Sequence, residues 1–241
     1  MSAEFDCRGW TVVRGAVSRE RLVELEAALD AIYAASPQVA AGLVWEMPGL
    51  SRLSAVIASH THDPAIAGYA AEALGAARVQ LLQDTALVKA ARIGGEVAWH
   101  QDHTYTGYLE PARAVSVRLA LTDDVAGCLE VIDGSHNWGL IGDVRALTET
   151  HVADALGSEA ARWTERVVRI ELEPGDLSIH HCLTMHHSGP NQSERARKTL
   201  ITRMFDSDCR LLPDRVPPGA LSYFPVDELG HLSEHAFPVL A

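Results

Sequence analysis

The sequence has little of what disulfide-rich, secreted or membrane-spanning proteins depend on. It contains four cysteines in 241 residues, and no two of them form a C-x-x-C pair, so we expect reduced thiols rather than a disulfide framework. No apolar run approaches the ~18 residues that a membrane-spanning helix requires, and the first residues show no apolar segment of a secretory signal. We therefore expect a cytoplasmic protein.

Basic residues are also in the minority. The 20 Lys and Arg residues face 32 Asp and Glu residues, which gives a formal net charge of −12. A nucleic-acid partner usually leaves a basic stripe, and an anionic membrane surface attracts polybasic segments, so this balance argues against both. We expect a small-molecule substrate and a monomer or homodimer.

Helical patterns dominate the first 75 residues. Ser18 is a suitable N-cap, and apolar side chains then recur at helical spacing until Pro37: Leu22, Leu25, Leu29 and Ile32. Asp63-Pro64 predicts a second helix start, because proline is favoured at the first helical position. Gly75 is a plausible stop for that helix.

After Gly75 the pattern changes to short β-rich runs between residues 79 and 205. Turn residues such as Gly94-Gly95 and Asp123-Asp124 separate the runs. Many short strands with such turns predict a sandwich or jelly roll. We therefore predict one mainly β domain with flanking helices over residues 1–241, with a helical part at about 1–75, a barrel at about 76–210 and a tail at 211–241. Residues 140–165 are predicted to form a helical insert.

Two histidine-containing segments could carry chemistry. In the first, Trp99-His100-Gln101-Asp102, an extended strand would point His100 and Asp102 to the same face, where both could reach one ion. A second histidine would complete the two-histidine, one-carboxylate triad that suits Fe(II). Alone, the His-x-Asp pattern is weak, and a histidine beside a solvated aspartate is the simpler interpretation.

The second segment, residues 175–191, offers four candidates for the third ligand: His180, His181, His186 and His187. Spacing alone does not choose among them. At most one is needed, so at least three of these histidines have other roles.

Taken together, these motifs resemble the phytanoyl-CoA dioxygenase family. The resemblance covers residues 79–205 approximately and depends on Trp-His-Gln-Asp at 99–102, Gly134-Ser135-His136, Gly175-Asp176, His186-x-Ser-Gly-Pro-Asn and Arg197. It implies a double-stranded β-helix, that is, a cupin-like jelly-roll barrel. It also implies Fe(II), 2-oxoglutarate as cosubstrate, and O₂.

Carried over by position, the resemblance assigns iron to His100, Asp102 and His186. It assigns the remote carboxylate of 2-oxoglutarate to Arg197, eleven residues after the last ligand, with further contacts from Ser188, Lys89 and, more weakly, Gln83. An arginine fork can hold a carboxylate bidentately, and a lysine in an apolar strand needs an anionic partner. Alternatively, Arg197 belongs to a solvated basic loop at 195–198, and Lys89 protects an edge strand.

Five residues are predicted to contact the substrate: Trp99, Tyr105, Tyr108, Arg118 and Trp138. The two tryptophans could equally be core or rim aromatics. The sequence departs from the family pattern at Asp133, where the family usually has proline, and at Arg118, where it often has an aromatic residue. Alternation with Val117 and Leu119 favours an inward Arg118, which would bind an anionic substrate or share in holding 2-oxoglutarate.

The implied activity is hydroxylation of an unactivated C–H bond in a small metabolite or natural-product intermediate, with 2-oxoglutarate converted to succinate and CO₂. Because related halogenases lack the carboxylate ligand, Asp102 favours hydroxylation over chlorination. The same oxidative chemistry diverted to desaturation, cyclisation or epimerisation is the alternative. A zinc hydrolase is disfavoured because there is no H-E-x-x-H helix and Arg197 would have no role. A non-catalytic jelly-roll binding protein is disfavoured by the intact triad.

Overall fold

The computed structural model describes residues 2–36, 44–141, 152 and 163–241. Five α-helices occur in the described chain: α1 Ser2–Arg8, α2 Arg19–Ala35, α3 Ala55–Thr61, α4 Pro64–Leu74 and α5 His103–Thr106. Twelve strands accompany them: β1 Trp10–Val13, β2 Val44–Pro48, β3 Val79–Lys89, β4 Val97–His100, β5 Leu109–Glu110, β6 Ala114–Ala120, β7 Asp124–Ile132, β8 Val167–Leu172, β9 Leu177–His181, β10 His186–Ser188, β11 Arg197–Asp206 and β12 Arg210–Leu211.

The strands form two main antiparallel sheets. The larger has six strands in the order β1-β9-β6-β11-β3-β2, and the smaller has four in the order β4-β10-β7-β8. A short pair, β12-β5, stands apart from both. Neighbours in each sheet are mostly distant in sequence, as expected for a jelly roll. The mainly β, jelly-roll class with flanking helices is therefore confirmed.

Alternation along β6 explains how the layers are arranged. Val115, Val117 and Leu119 join the large apolar cluster that also contains the buried leucines of α2 and the alanines of α4. Ser116 and Arg118 point the opposite way and are buried against polar partners. Since side chains alternate across a strand, the helices cover the outer face of the large sheet and leave its inner face polar.

The helix boundaries agree with the caps predicted from sequence. The Ser18 side chain accepts a hydrogen bond from the backbone N–H of Arg21 at the start of α2. Asp63 does the same for Ala65 at the start of α4, which ends at Gly75 in the left-handed conformation. Pro37, the expected stop of the first helix, lies outside the described residues, as does nearly all of the predicted insert at 140–165. Among the described helices, none is both long enough and apolar enough to cross a membrane.

Gly127 is the backbone position on which the small sheet depends most clearly. It lies where the β7–β8 ladder shifts register, its φ is +67°, and a Cβ there would overlap the carbonyl oxygens of Gly189 and Pro190. Its own carbonyl accepts a hydrogen bond from Arg197 Nη1. A glycine is therefore needed for both conformation and space where β7 approaches the segment after β10.

We predict that Gly127→Ala destabilises the fold by about 2–4 kcal/mol, because left-handed strain and overlap with backbone both apply. Gly15→Ala is the matched control, since Gly15 has φ +59° and an added Cβ there would meet nothing within 4 Å, so strain alone should cost about 1 kcal/mol. Urea unfolding of both variants measures the difference. Equal losses of stability would contradict the close approach of β7 to Gly189 and Pro190.

Candidate active site

His100, Asp102 and His186 come together at one end of the small sheet. One ligand atom from each lies within 4.8 Å of the others. His100 Nε2 is 3.7 Å and His186 Nε2 is 3.8 Å from Asp102 Oδ1. His186 and His100 are directly paired across β10 and β4, which places both rings on the same face. The three donors match the set that suits a non-haem Fe(II) site.

The strand geometry predicted for this motif is correct only in part. Strand β4 ends at His100, and Asp102 has a helical backbone conformation as the residue preceding α5. The two side chains therefore converge because the chain turns after His100, and not because both lie on one extended strand.

Backbone carbonyls fix both imidazole rings. His100 Nδ1 lies 2.8 Å from the carbonyl of Ala98, and His186 Nδ1 lies 2.8 Å from that of Thr184. Each Nδ1–H can donate to its carbonyl, which leaves the Nε2 lone pair directed at Asp102. A ligand histidine whose other nitrogen is hydrogen-bonded is held in the tautomer and orientation that a metal requires.

The second oxygen of Asp102 is held by the large sheet. Ser116 Oγ donates to Oδ2 at 2.5 Å, and His180 Nε2 lies 3.2 Å from the same atom. Arg203 Nε is 4.0 Å away. These groups leave Oδ1 to face the two ligand histidines, so the carboxylate is oriented for one bond to a metal.

Burial and neighbouring charges together favour the unprotonated forms of Asp102 and His186. Burial alone would raise the pKa of Asp102, but Arg203, His180 and His186 hold that pKa well below its usual range. Burial, followed by His100 and His180, lowers the pKa of His186 well below its ordinary value. A carboxylate and a neutral imidazole are the forms that bind a divalent ion.

The other three histidines of the 180–187 segment are engaged elsewhere. His180 contacts Asp102 Oδ2, and His181 Nδ1 accepts from the backbone N–H of Leu183 at 3.2 Å. His187 alternates to the opposite face of β10, where Nε2 lies 2.9 Å from Glu130 and the ring stacks on Trp99. Geometry therefore separates His186 from its neighbours, which spacing in the sequence does not do.

A buried cluster of cations adjoins the triad. Lys89 and Arg197 face each other across β3 and β11 and are 0% and 2% exposed. Lys89 Nζ donates to Ser188 Oγ at 2.8 Å and to the carbonyls of Ser188 and Gly189. Arg197 Nη2 lies 3.5 Å from Ser188 Oγ. Arg197 is therefore not part of a solvated loop, and Lys89 is not an exposed edge residue.

One buried carboxylate partly balances this cation cluster. Asp124 Oδ1 is 3.0 Å from Arg197 Nη1, and Asp124 Oδ2 is 3.3 Å from Arg118 Nη2. The Arg197 Nε atom is buried without a hydrogen-bond partner. Burial, reinforced by Arg197 and Arg118, lowers the pKa of Lys89 to about 7. Asp124 thus pairs with two guanidinium groups, and the neighbouring Lys89 amine hydrogen-bonds to neutral oxygens, so the cluster can accept an added carboxylate.

A cavity of about 1130 Å³ opens on the other side of the triad. His100 and Asp102 form part of its wall, together with the predicted substrate contacts Tyr105 and Tyr108. Gln83, predicted to contact the cosubstrate, also lines this cavity rather than the cation cluster, because it lies six residues before Lys89 on β3, towards the other end of the strand.

Three residues predicted to contact the substrate do not line this cavity. Trp99 is 4% exposed and packs between His187 and Trp163, since it alternates with His100 along β4. Trp138 packs on the same apolar cluster under the Arg166 guanidinium. Arg118 does point inward, but into the cation cluster. The structure thus places both tryptophans away from the cavity wall, contrary to the prediction, and places Arg118 in the cation cluster.

The contacts of Asp133 explain how the turn is held at the position where the family usually has proline. Its Oδ1 accepts hydrogen bonds from Trp10 Nε1 at 2.7 Å and from Arg8 Nε at 3.0 Å. The aspartate that replaces proline therefore links the turn to α1 and β1.

Sequence reasoning missed four residues of the site: Ser116, Asp124, His180 as a partner of Asp102, and Arg203. Strand alternation could have identified Arg203, because it lies six residues after Arg197 on the same strand. Both side chains therefore point to the same face of the sheet. No comparable signal marks Asp124, since Asp123-Asp124 has the composition of an ordinary turn.

Comparison with known proteins gives a family match over most of the chain. The family model described as "Phytanoyl-CoA dioxygenase (PhyH)" matches residues 5–199. A phytanoyl-CoA dioxygenase of Arabidopsis thaliana is 31% identical over 148 residues, which are 60% of this chain and 51% of that protein. The chain spans about half the length of the curated relatives it matches.

Solved structures share the fold. The carbocyclase SnoK from nogalamycin biosynthesis, described as non-haem and α-ketoglutarate-dependent, superimposes with a TM-score of 0.81 over 99% of this chain and 94% of its own, at 21% identity. EctD from S. alaskensis, solved with 2-oxoglutarate and 5-hydroxyectoine, gives a TM-score of 0.71 over 87% of this chain and 76% of its own, at 22% identity. At these identities the likeness establishes the fold alone.

We predict that His186→Ala lowers the affinity for Mn(II), used as an oxygen-stable probe, by more than about 100-fold, because even outer partners of metal ligands contribute about 10- to 100-fold. His187→Ala is the matched control, since the neighbouring ring points to the opposite face. Calorimetric titration of the folded variants measures both affinities. Mn(II) binding that is lost in His187→Ala and kept in His186→Ala would contradict the choice of His186 as the third ligand.

Proposed function

This chain belongs to the phytanoyl-CoA dioxygenase family, and on that premise we propose that it is an Fe(II)- and 2-oxoglutarate-dependent dioxygenase. We further propose that it hydroxylates an unactivated C–H bond of a small metabolite or natural-product intermediate. His100, Asp102 and His186 would hold the iron. Arg197, Ser188 and Lys89 would hold the remote carboxylate of 2-oxoglutarate.

The spacing between the triad and the cation cluster is the observation that supports this proposal. Ser188 follows His186 by two residues on β10, a separation of about 7 Å along a strand. That is close to the span of a five-carbon dicarboxylate. A 2-oxoglutarate molecule whose far carboxylate met Ser188, Lys89 and Arg197 would therefore present its keto acid end beside the triad.

The charges of the cluster favour such a ligand. Among the described residues, Asp124 is the salt-bridge partner of both Arg197 and Arg118, in a region closed to solvent. Buried charges are costly unless paired, so binding a carboxylate removes an electrostatic penalty already present in the protein. The planar fork of Arg197 suits a carboxylate, and its charge does not vary at working pH.

The residues of the chain position and shield the reaction. His100, Asp102 and His186, whose donor atoms lie within 4.8 Å of one another, would hold the iron, and a set of three protein donors leaves positions for other ligands. The iron would let O₂ act as the oxidant: 2-oxoglutarate would give two electrons as it becomes succinate and CO₂, the substrate C–H bond would give two more, and one oxygen atom would enter each product. Ser116 and His180 keep Asp102 from rotating, and the adjoining cavity admits a small molecule close to His100 and Asp102.

Hydroxylation is the reaction we propose over its alternatives. Asp102 occupies the carboxylate position, which favours hydroxylation over chlorination. Desaturation, cyclisation and epimerisation use the same iron and cosubstrate, and analysis of products formed from the substrate distinguishes them. Succinate formation tests the shared first half of all these reactions.

We expect Fe(II)-dependent conversion of 2-oxoglutarate to succinate, with 2-oxoglutarate binding weakened about 10- to 100-fold in Arg197→Met, since a hydrogen bond to a charged group contributes about 1.5–3 kcal/mol. Arg195→Met is the matched control, because Arg195 belongs to the same basic run but is exposed. Calorimetry in the presence of Mn(II) gives the affinities. Circular dichroism and Mn(II) affinity establish that each variant is folded.

Two results would contradict the proposal. One is wild-type affinity for 2-oxoglutarate in folded Arg197→Met. The other is succinate release that continues at the wild-type rate in His100→Ala, Asp102→Ala or His186→Ala.

Lys89 predicts a pH dependence of cosubstrate binding. Because its pKa is lowered to about 7 in the free protein, Lys89 is mostly neutral at pH 8, and a bound carboxylate favours its ammonium form. Binding of 2-oxoglutarate at pH 8 should therefore take up a proton, and affinity should fall as pH rises above 7. Titration in buffers of different ionisation enthalpy measures the uptake.

Lys89→Met should abolish this proton uptake. Lys198→Met should retain it, because Lys198 points outward and pairs with Glu26 and Asp30. Equal uptake in wild type and Lys89→Met would show that another group is responsible.

A further inference from the structure

Arg203 is a charged residue of the cavity to which the proposed reaction assigns no ligand. It lies on the inner face of β11, six residues beyond Arg197, and it lines the cavity beside the triad. Its side chain is 19% exposed. It is thus on the opposite side of the triad from the cation cluster, where the substrate would enter.

The partners of Arg203 within the protein are weak. Nη1 lies 3.1 Å from Thr85 Oγ1 and 3.4 Å from Gln83 Oε1, both neutral acceptors. Within the part of the chain that the structure describes, Asp102 is its only carboxylate partner, at the limiting distance of 4.0 Å from Nε. A guanidinium has five N–H donors in a fixed fork, so most of its hydrogen-bonding capacity is unused.

Asp102 does not accept hydrogen bonds from these unused N–H donors of Arg203. Its Oδ2 is already bonded to Ser116 and His180, and its Oδ1 faces the ligand histidines. A bound metal would also compete with Arg203 for the negative charge of the Asp102 carboxylate. The loaded site therefore contains a half-buried cation whose nearest anion is committed elsewhere.

Two other acidic residues line the wall, Asp84 and Glu46, and neither forms a salt bridge with Arg203. Asp84 alternates away from Gln83, and its carboxylate accepts hydrogen bonds from the backbone N–H and the hydroxyl of Ser51, both at 2.8 Å. The rest of the wall combines polar side chains with aromatic and apolar ones. It includes Tyr108 packed on Phe224, with ring centroids 4.7 Å apart, and Phe237.

Resting on the proposed function, we propose that Arg203, with Gln83 and Thr85, binds the carboxylate of the primary substrate, an otherwise apolar small acid. The fork accepts the carboxylate bidentately. Gln83 can turn its amide N–H groups to the same anion, and the aromatic wall packs on the apolar body. Arg203 then determines specificity by holding the acidic group beside the triad.

The experiment compares three acids with their primary amides: phenylacetate, 3-phenylpropanoate and 1-naphthylacetate. The full-length protein is loaded with Mn(II) and saturating 2-oxoglutarate, which occupies the cosubstrate site. Broadening of the ligand proton signals by Mn(II) reports binding near the triad and gives each affinity. The variants are Arg203→Gln, Arg203→Lys and, as control, Arg52→Gln, an exposed arginine of the same cavity wall.

For the wild type we expect at least one acid to bind about 10- to 100-fold more tightly than its amide, the effect of one charge-assisted interaction. Arg203→Gln should abolish this preference, Arg203→Lys should retain part of it, and Arg52→Gln should leave it intact. Affinity for 2-oxoglutarate, measured on the same samples, should be unchanged in Arg203→Gln. The Mn(II) affinity of each variant is measured as well, so that every comparison is made with the metal site saturated.

Three outcomes overturn the proposal. The acids show no preference over their amides in any pair; the preference survives in Arg203→Gln; or Arg203→Gln weakens 2-oxoglutarate instead, which would make Arg203 a cosubstrate contact. Failure of the proposed function gives a different result, since the wild-type protein would then bind neither Mn(II) nor 2-oxoglutarate.

Discussion

The carboxylate of Asp102 joins the two sheets at the point where the chemistry is placed. Its Oδ1 faces His100 and His186 of the small sheet, and its Oδ2 is bonded to Ser116 and His180 of the large sheet. A single side chain thus fixes the metal-binding geometry to the relative position of the sheets. Any slip between them would turn the carboxylate away from the histidines, so the structural and chemical roles of Asp102 are inseparable.

Two further polar bridges cross the same interior. Lys89 of β3 reaches Ser188 of β10, and Arg197 of β11 reaches Asp124 of β7. The largest apolar cluster lies instead on the outer face of the large sheet, under the helices, and a smaller one joins the two sheets. This apolar packing supplies hydrophobic stabilisation that offsets the cost of a polar, incompletely neutralised region around the triad. A carboxylate ligand entering that interior meets donors already oriented towards it, which lowers the cost of binding.

Sequence reasoning recovered what depends on local pattern and on family motifs. The caps of α2 and α4, the change from helices to strands and the inward direction of Arg118 all follow from periodicity and alternation. The pair His100 and Asp102 was identified although Asp102 follows a turn, because the motif specifies the residues better than strand geometry does. Alternation with His100 along β4 could have placed Trp99 away from the site. Asp124 could not be placed, since its position depends on contacts between β7 and β11 that are distant in sequence.

Under the proposed function, strand β11 contributes to two ligand sites, one near each end. Arg197 and Arg203 share its inner face, separated by about 20 Å along the strand, with the triad lying between the groups they contact. Next to Arg203 the ladder shifts register, because β3 places the extra residue Leu82 between the partners of Arg203 and Met204. Bulges near active sites commonly redirect side chains, and this one lies at the cavity end of the strand. At the Arg197 end, the pairing of β11 with β3 is regular. Under the proposed function, substitutions around Arg203 would therefore change which molecule binds beside the triad and leave the groups proposed to hold the cosubstrate in place. A fixed oxidative centre with a separately adjustable cavity is what a fold that hosts several reactions requires.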